Sequence, residues 1–159
     1  MHFMTTIRIV ALACGLSAIC ARLDAAPAAG HPHAHPTEGP HHGTLIELGK
    51  EDYHAELVHD DATDTVTIHI LDATATKSVP TTAKEVTLNM RAGGKPQQFA
   101  LAARPQKGEA AGAASVFVAT GKDLCRAIHE HGASGRLNVE IGGKMYSGKV
   151  GGHSHPHRH

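Results

Sequence analysis

Apolar and polar positions alternate along most of the chain with the period of a half-buried strand. Leu45-Ile46-Glu47-Leu48 forms a short first strand. Residues 53–59 follow, with Tyr53, Ala55 and Leu57 on one face and His54, Glu56 and Val58 on the other. The polar stretch Asp60-Asp61-Ala62-Thr63-Asp64 turns the chain into 65–71, where Val66, Ile68 and Ile70 alternate with Thr65, Thr67, His69 and Leu71. Val86, Leu88 and Met90 mark the next strand. Gly93-Gly94 leads into 96–103, where Phe99 and Leu101 share a face. After a Gly/Ala loop at 104–114, Val116-Phe117-Val118 is another strand. Leu137, Val139 and Ile141 alternate before the Gly142-Gly143 hairpin turn, and 144–150 closes the series. The helical spacing of Leu124 and Ile128 predicts one short helix within 121–131. Seven to eight short strands with one short helix predict an all-β fold, an antiparallel β-sandwich or small barrel. One sheet face is expected to be solvated.

The flanks do not fit this pattern. Arg8 and an apolar run from Ile9 to Ile19 are followed by small residues, which predicts an export signal over residues 1–28. The run is too short to span a membrane. Cleavage fits after Ala28 or after Ala25. A lipoprotein signal at Cys14 or Cys20 matches less well, because Ile19 precedes Cys20. The mature chain is therefore expected to be soluble, periplasmic or secreted, with no transmembrane segment. Residues 29–43 form a His/Pro-rich arm, in which prolines 32, 36 and 40 oppose helix and central strand, so disorder is expected. The domain is assigned to 44–150, and 151–159 is read as a second disordered His-rich tail.

Composition then narrows the chemistry. Lys+Arg and Asp+Glu are both 15, so there is no basic face for nucleic acid. Trp is absent and aromatics are 3%, which leaves little for base stacking. Cys14 and Cys20 fall in the signal, so Cys125 alone remains and can form no internal disulfide; a buried small hydrophobe is the expected role. Histidine stands out, at 15 of 159 residues. Imidazole clusters suit Zn²⁺, Cu²⁺ or Ni²⁺.

Three places could hold such an ion. On the 53–71 hairpin the apolar faces must coincide. If Leu57 opposes Val66, His54 faces His69; if it opposes Ile68, Glu56 faces His69. Directly opposed Cβ atoms are about 4.5–5.5 Å apart, near enough for His54, Glu56 and His69 to share a cation. Exposed polar residues on a solvated face are the plain alternative. His59 with Asp60 and Asp61 is a weaker version of the same idea. The second place is the pair of tails. His31, His33, His35, His41 and His42 lie in the arm, and His153, His155, His157 and His159 in the tail. Such tracts bind borderline metals through neutral imidazoles. Cleavage after Ala28 would also leave Ala29-Gly30-His31 at the amino terminus, four nitrogens suited to square-planar Cu(II) or Ni(II). The third is His129-Glu130-His131, whose two histidines do not share a helix face; a helix C-terminus explains them better. No His-Glu-x-x-His, Gly-x-Ser-x-Gly or P-loop pattern occurs, so no enzyme is expected.

The run His41-His42-Gly43-Thr44-Leu45-Ile46-Glu47-Leu48-Gly49, with Tyr53-His54-Ala55-Glu56 and the strand through His69, resembles small secreted bacterial proteins of uncharacterised function. These carry a His-Gly-Gly start, a Tyr/His-x-x-Glu strand and a His-rich tail. The same opening is similar to the amino-terminal part of periplasmic adaptor subunits of heavy-metal efflux pumps. Here Thr44 replaces the second Gly. The resemblance covers about residues 41–150 and implies a periplasmic β-domain linked to metal handling. The expected function is thus binding or buffering of a divalent transition metal, with an efflux component as a candidate partner. The alternative is a non-enzymatic β-module that docks to an envelope partner, its histidines incidental. An exported hydrolase with a His-bound metal is weaker still, because no general base accompanies it.

Overall fold

A computed structural model describes residues 37–151 of the chain. The expectations for the export signal, for His31, His33 and His35, and for His153, His155, His157 and His159 lie outside the described residues.

Eight strands and one helix follow the alternation. They are β1 (Thr44–Leu48), β2 (Tyr53–Asp60), β3 (Thr65–Leu71), β4 (Glu85–Ala92), β5 (Lys95–Ala103), β6 (Val116–Thr120), α1 (Lys122–His129), β7 (Ser134–Ile141) and β8 (Lys144–Val150). They form one antiparallel sheet in the order β1-β2-β3-β6-β5-β4-β7-β8. The sheet curls until its first and last strands meet, so the architecture is a nearly closed barrel and not a sandwich. Gly49 donates its N–H to the Ser147 carbonyl at 3.3 Å across this seam. Gly148 lies directly against the Glu47 carbonyl, where any Cβ would collide.

The period-two apolar sets all point inward. Ile46, Leu48, Ala55, Val66, Ile68, Ile70, Leu88, Leu101, Phe117, Leu137 and Val139 line the barrel interior, each 2% exposed or less. β5 and β6 pair at only two positions, Ala102–Val118 and Ala103–Phe117. The predicted helix forms over Lys122–His129. It buries Leu124, Cys125 and Ala127 against one end of the barrel. Cys125 is buried, and that burial pushes its thiol up, reinforced by Asp64 and Asp61. Among the described residues no helix is long and apolar enough to cross a membrane.

Of the two hairpin registers, the second forms: Leu57 pairs with Ile68, Glu56 with His69 and His54 with Leu71. The outer face of this hairpin departs from expectation. It is covered, not solvated: His54 is 7% exposed and Glu56 0%. Two segments cover it. The loop after β3 folds back, bridging Leu71 to Ser78 and placing Ala75 against Leu45 and Leu71 in a small second cluster. Residues 37–43, grouped with the arm by their composition, also pack on the sheet. Glu38 bridges to Thr44, and Leu45 donates to the Thr37 carbonyl at 3.0 Å. A buried carboxylate explains this docking. An ionised Glu56 needs donors, and the 37–43 backbone supplies them.

Candidate metal centre and the Glu56 socket

Glu56 sits mid-strand on β2, facing outward between Leu45 of β1 and His69 of β3. Its carboxylate accepts three hydrogen bonds from the 37–43 segment. Oε1 receives the N–H of His41 at 2.7 Å and of Gly43 at 2.8 Å, and Oε2 meets Nδ1 of His41 at 2.7 Å. Burial pushes the Glu56 carboxyl up. The His41 ring and the N–H groups of Gly43 and His41 outweigh burial and hold it below its ordinary value. Two glycines let the chain wrap this closely. A Cβ on Gly39 would run into the carboxylate, and one on Gly43 would lie 2.5 Å from the Leu57 carbonyl.

His41 also stacks on His69, with ring centroids 3.8 Å apart and planes 11° from parallel. Burial, then His41, lowers the pKa of His69, opposed by Glu56, so His69 stays neutral over a wider range. Stacked imidazoles aim their lone pairs side by side, which is a poor geometry for one shared ion. Of the predicted hairpin trio, the structure brings Glu56 and His69 together as a cross-strand pair. His54 instead turns Nδ1 to the Asp72 carbonyl at 3.2 Å. His42 is exposed and pairs with Glu38 at 2.7 Å. The Glu56 oxygens are thus committed to holding the chain, and this cluster is read as a structural socket.

A different cluster groups side chains that could hold a metal ion. Gly39 to Gly43 lie over the sheet face, but His59 belongs to the inward set of β2, paired with Val66. It lies at the barrel end that α1 covers. His59 Nδ1 meets Nε2 of His129, the last residue of α1, at 2.8 Å, with ring centroids 4.3 Å apart. Asp61, in the β2–β3 turn, places Oδ1 3.4 Å from His59 Nε2 and 3.8 Å from His129 Nε2. Among the described residues, His59, Asp61 and His129 are the one group of three whose ligand atoms lie within 4.8 Å of one another.

Its polarity is that of a half-built site. The His59 side chain is 11% exposed, and its Nε2 is buried with no hydrogen-bond partner, although the Asp61 carboxylate is near. A buried ring nitrogen without a partner is costly unless something satisfies it. Asp61 and His129 are exposed at 85% and 56%, so the outer side of the cluster is open to solvent. Two imidazoles and a carboxylate suit Zn²⁺, Cu²⁺ or Ni²⁺.

Sequence reading held both halves of this cluster, the His59-Asp60-Asp61 turn and the His129 helix end, but did not join them. His59 and His129 are 70 residues apart. Only the docking of α1 on the barrel end brings them together. The signal that existed was parity: His59 continues the inward set Tyr53, Ala55, Leu57. Comparison with known proteins finds no matching family model, no matching curated protein and no matching solved structure.

Proposed function

We propose that this is an exported protein that binds divalent transition metal, Zn²⁺ or Cu²⁺ foremost and Ni²⁺ next, in the service of metal buffering or efflux. The observation that carries the reading is the His59–Asp61–His129 cluster, in which a buried, unpartnered His59 Nε2 lies near the Asp61 carboxylate and the His129 imidazole meets Nδ1 of the same ring. Three further features support it. Histidine makes up 15 of 159 residues, nine of them in the two flanking tracts. The first 28 residues have the pattern of an export signal. The opening motif resembles the amino-terminal part of heavy-metal efflux adaptors. Ordered and flanking ligands have different tasks: the tracts raise the local ion concentration, and the ordered cluster holds one ion at fixed geometry.

Calorimetric titration of the full chain with Zn²⁺ at pH 7.5 tests this. The expected result is one tight site above a background of weaker ones. His59→Ala or His129→Ala should weaken the tight site by at least about tenfold, as loss of one of three ligands does. Replacing His31, His33, His35, His153, His155, His157 and His159 by Ala should lower the number of weak sites and leave the tight one countable. Binding that is unchanged in both cluster variants would overturn the assignment of the ordered site. Absence of binding by the full chain would overturn the metal reading and leave the docking module.

A further inference from the structure

The His59–Asp61–His129 cluster offers three protein ligands, buried on one side and open on the other. The His59 side chain is 11% exposed, whereas Asp61 and His129 stand in solvent at 85% and 56%. An ion held by these three would meet the barrel end below and water above. Structural zinc sites close the ion with four protein ligands; sites that exchange a ligand supply three and leave one position free. Ligand number and exposure here are of the second kind.

Charge around the open side selects what can enter. The β2–β3 turn carries Asp60, Asp61 and Asp64. Gly121 donates its N–H to the Asp64 carbonyl at 2.8 Å, which holds this turn against the start of α1. Asp64 and Asp61 both act electrostatically on Cys125, one helical turn before His129, so their carboxylates bear on the ligand face of the helix. The cations of α1 are Lys122 at its start and Arg126, which is paired with Asp123 at 3.2 Å. A divalent ion bound by Asp61 keeps one net positive charge, and Asp60 and Asp64 reverse it. An incoming anion is repelled at such a surface, and a neutral donor is not. Among neutral donors, imidazole matches the two nitrogens already present and suits Zn²⁺ and Cu²⁺.

We infer that an ion held by His59, Asp61 and His129 takes its fourth ligand from outside the chain, and that this ligand is a neutral imidazole nitrogen presented by the molecule that receives the ion. The inference rests on the metal-binding reading of that cluster. It makes the site one of transfer and not of storage. In the exchange step the lone pair of the incoming nitrogen forms a bond to the ion, and the bond to the Asp61 oxygen breaks. Asp61 yields first because it sits in an exposed turn, whereas His59 is fixed within β2. The electron pair stays on the carboxylate and the ion stays divalent, so the step needs no proton and no oxidant.

The test uses the full chain with His31, His33, His35, His153, His155, His157 and His159 replaced by Ala, so that the flanking tracts neither compete for the ion nor supply the ligand. One equivalent of Cu²⁺ is added, and imidazole is titrated while the coordinating nitrogens are counted by electron paramagnetic resonance. Imidazole should add one nitrogen to the signal and saturate at one per ion. Azide, an anion, should bind about tenfold more weakly than imidazole. Asp64→Asn, at a φ of 50° that Asn tolerates, should narrow that gap about threefold. Transfer of the Cu²⁺ to free histidine should quicken in proportion to histidine concentration. His59→Ala with His129→Ala should abolish the starting signal. A signal that imidazole leaves unchanged, or a transfer rate independent of histidine, would overturn the outside ligand while leaving the ordered site standing. Azide binding as tight as imidazole binding would overturn the neutral donor. A signal that survives both cluster substitutions would overturn the site and the inference together.

Discussion

Glu56→Ala should destabilise the fold by about 3 kcal/mol, which for a domain of this size lowers Tm by roughly 10 °C. The argument is donor bookkeeping at one carboxylate. Glu56 is 0% exposed and accepts from two peptide N–H groups and one imidazole. Hydrogen bonds to charged groups contribute about 1.5–3 kcal/mol each, and removal of the acceptor leaves those donors either buried and unpaired or forced into water. The second course means release of residues 37–43, so the variant should also lose hydrogen-exchange protection at His41 and Gly43. Glu56→Gln keeps the shape but not the charge, and should fall between the parent and Glu56→Ala. Denaturant unfolding measures all three; a Glu56→Ala loss below about 1 kcal/mol would show that the segment is held by something else.

The same group sets the acid response. The folded pKa of Glu56 lies below its ordinary value of 4.5, so its contribution is fully present above that value and is lost as pH falls through the folded pKa. His69 acts in the same direction from a higher starting point. Its folded pKa lies below 6.5, so the folded state resists a proton that the unfolded chain accepts, and stability declines as pH drops below about 6.5. Stability measured from pH 7.5 down should therefore fall in two stages, the first absent in His69→Gln and the second absent in Glu56→Gln. A flat profile between pH 7 and pH 5 would contradict the His69 stage.

What could be read from the sequence follows from what period two can encode. Val66, Ile68 and Ile70, or Leu137, Val139 and Ile141, declare both a strand and its buried face, and they are buried at 6% exposure or less. The hairpin register was confined to two choices by that same parity. The structure selects the one that sets Glu56 against His69. Barrel and sandwich share the same alternation, so the choice between them was not legible. It is made at a seam where Gly148 lets β8 approach Glu47, a contact that no local pattern announces. The covered outer face was hidden for a different reason. Residues 37–43 carry no apolar anchor beyond Pro40, only Thr, Glu, Gly and His, so composition groups them with the arm. What docks them is one carboxylate on β2, and Gly39 and Gly43 are needed so that the backbone can reach it. The candidate metal cluster was half legible: each piece was visible, but their meeting depends on where α1 lands.

Zn²⁺ should stabilise the protein by about 2.7 kcal/mol when free ion is a hundredfold above its dissociation constant, because an ion that binds only the folded state adds RT ln(1 + [L]/Kd). The expected thermal shift is several degrees and scales with ion concentration. The proposed site sets where this stabilisation would act. His59 is fixed in β2, Asp61 in the following turn and His129 at the end of α1, so one ion bound there would tie the helix to the β2–β3 end of the barrel. That helix has no side-chain cap at Gly121, and its last residue, His129, is half exposed, so it is the element with most to gain. Amide exchange should therefore slow first in residues 122–129 and in the 60–65 turn, well before the β4–β7 pairs at Leu88 and Leu137 respond. The double substitution His59→Ala, His129→Ala should abolish both the shift and the local protection, and His129→Ala alone, at a half-exposed position, should change the apo stability little. A thermal shift that survives in the double variant would place the stabilising ion elsewhere. Protection that spreads evenly over all eight strands would mean the ion acts on the barrel as a whole and not through α1.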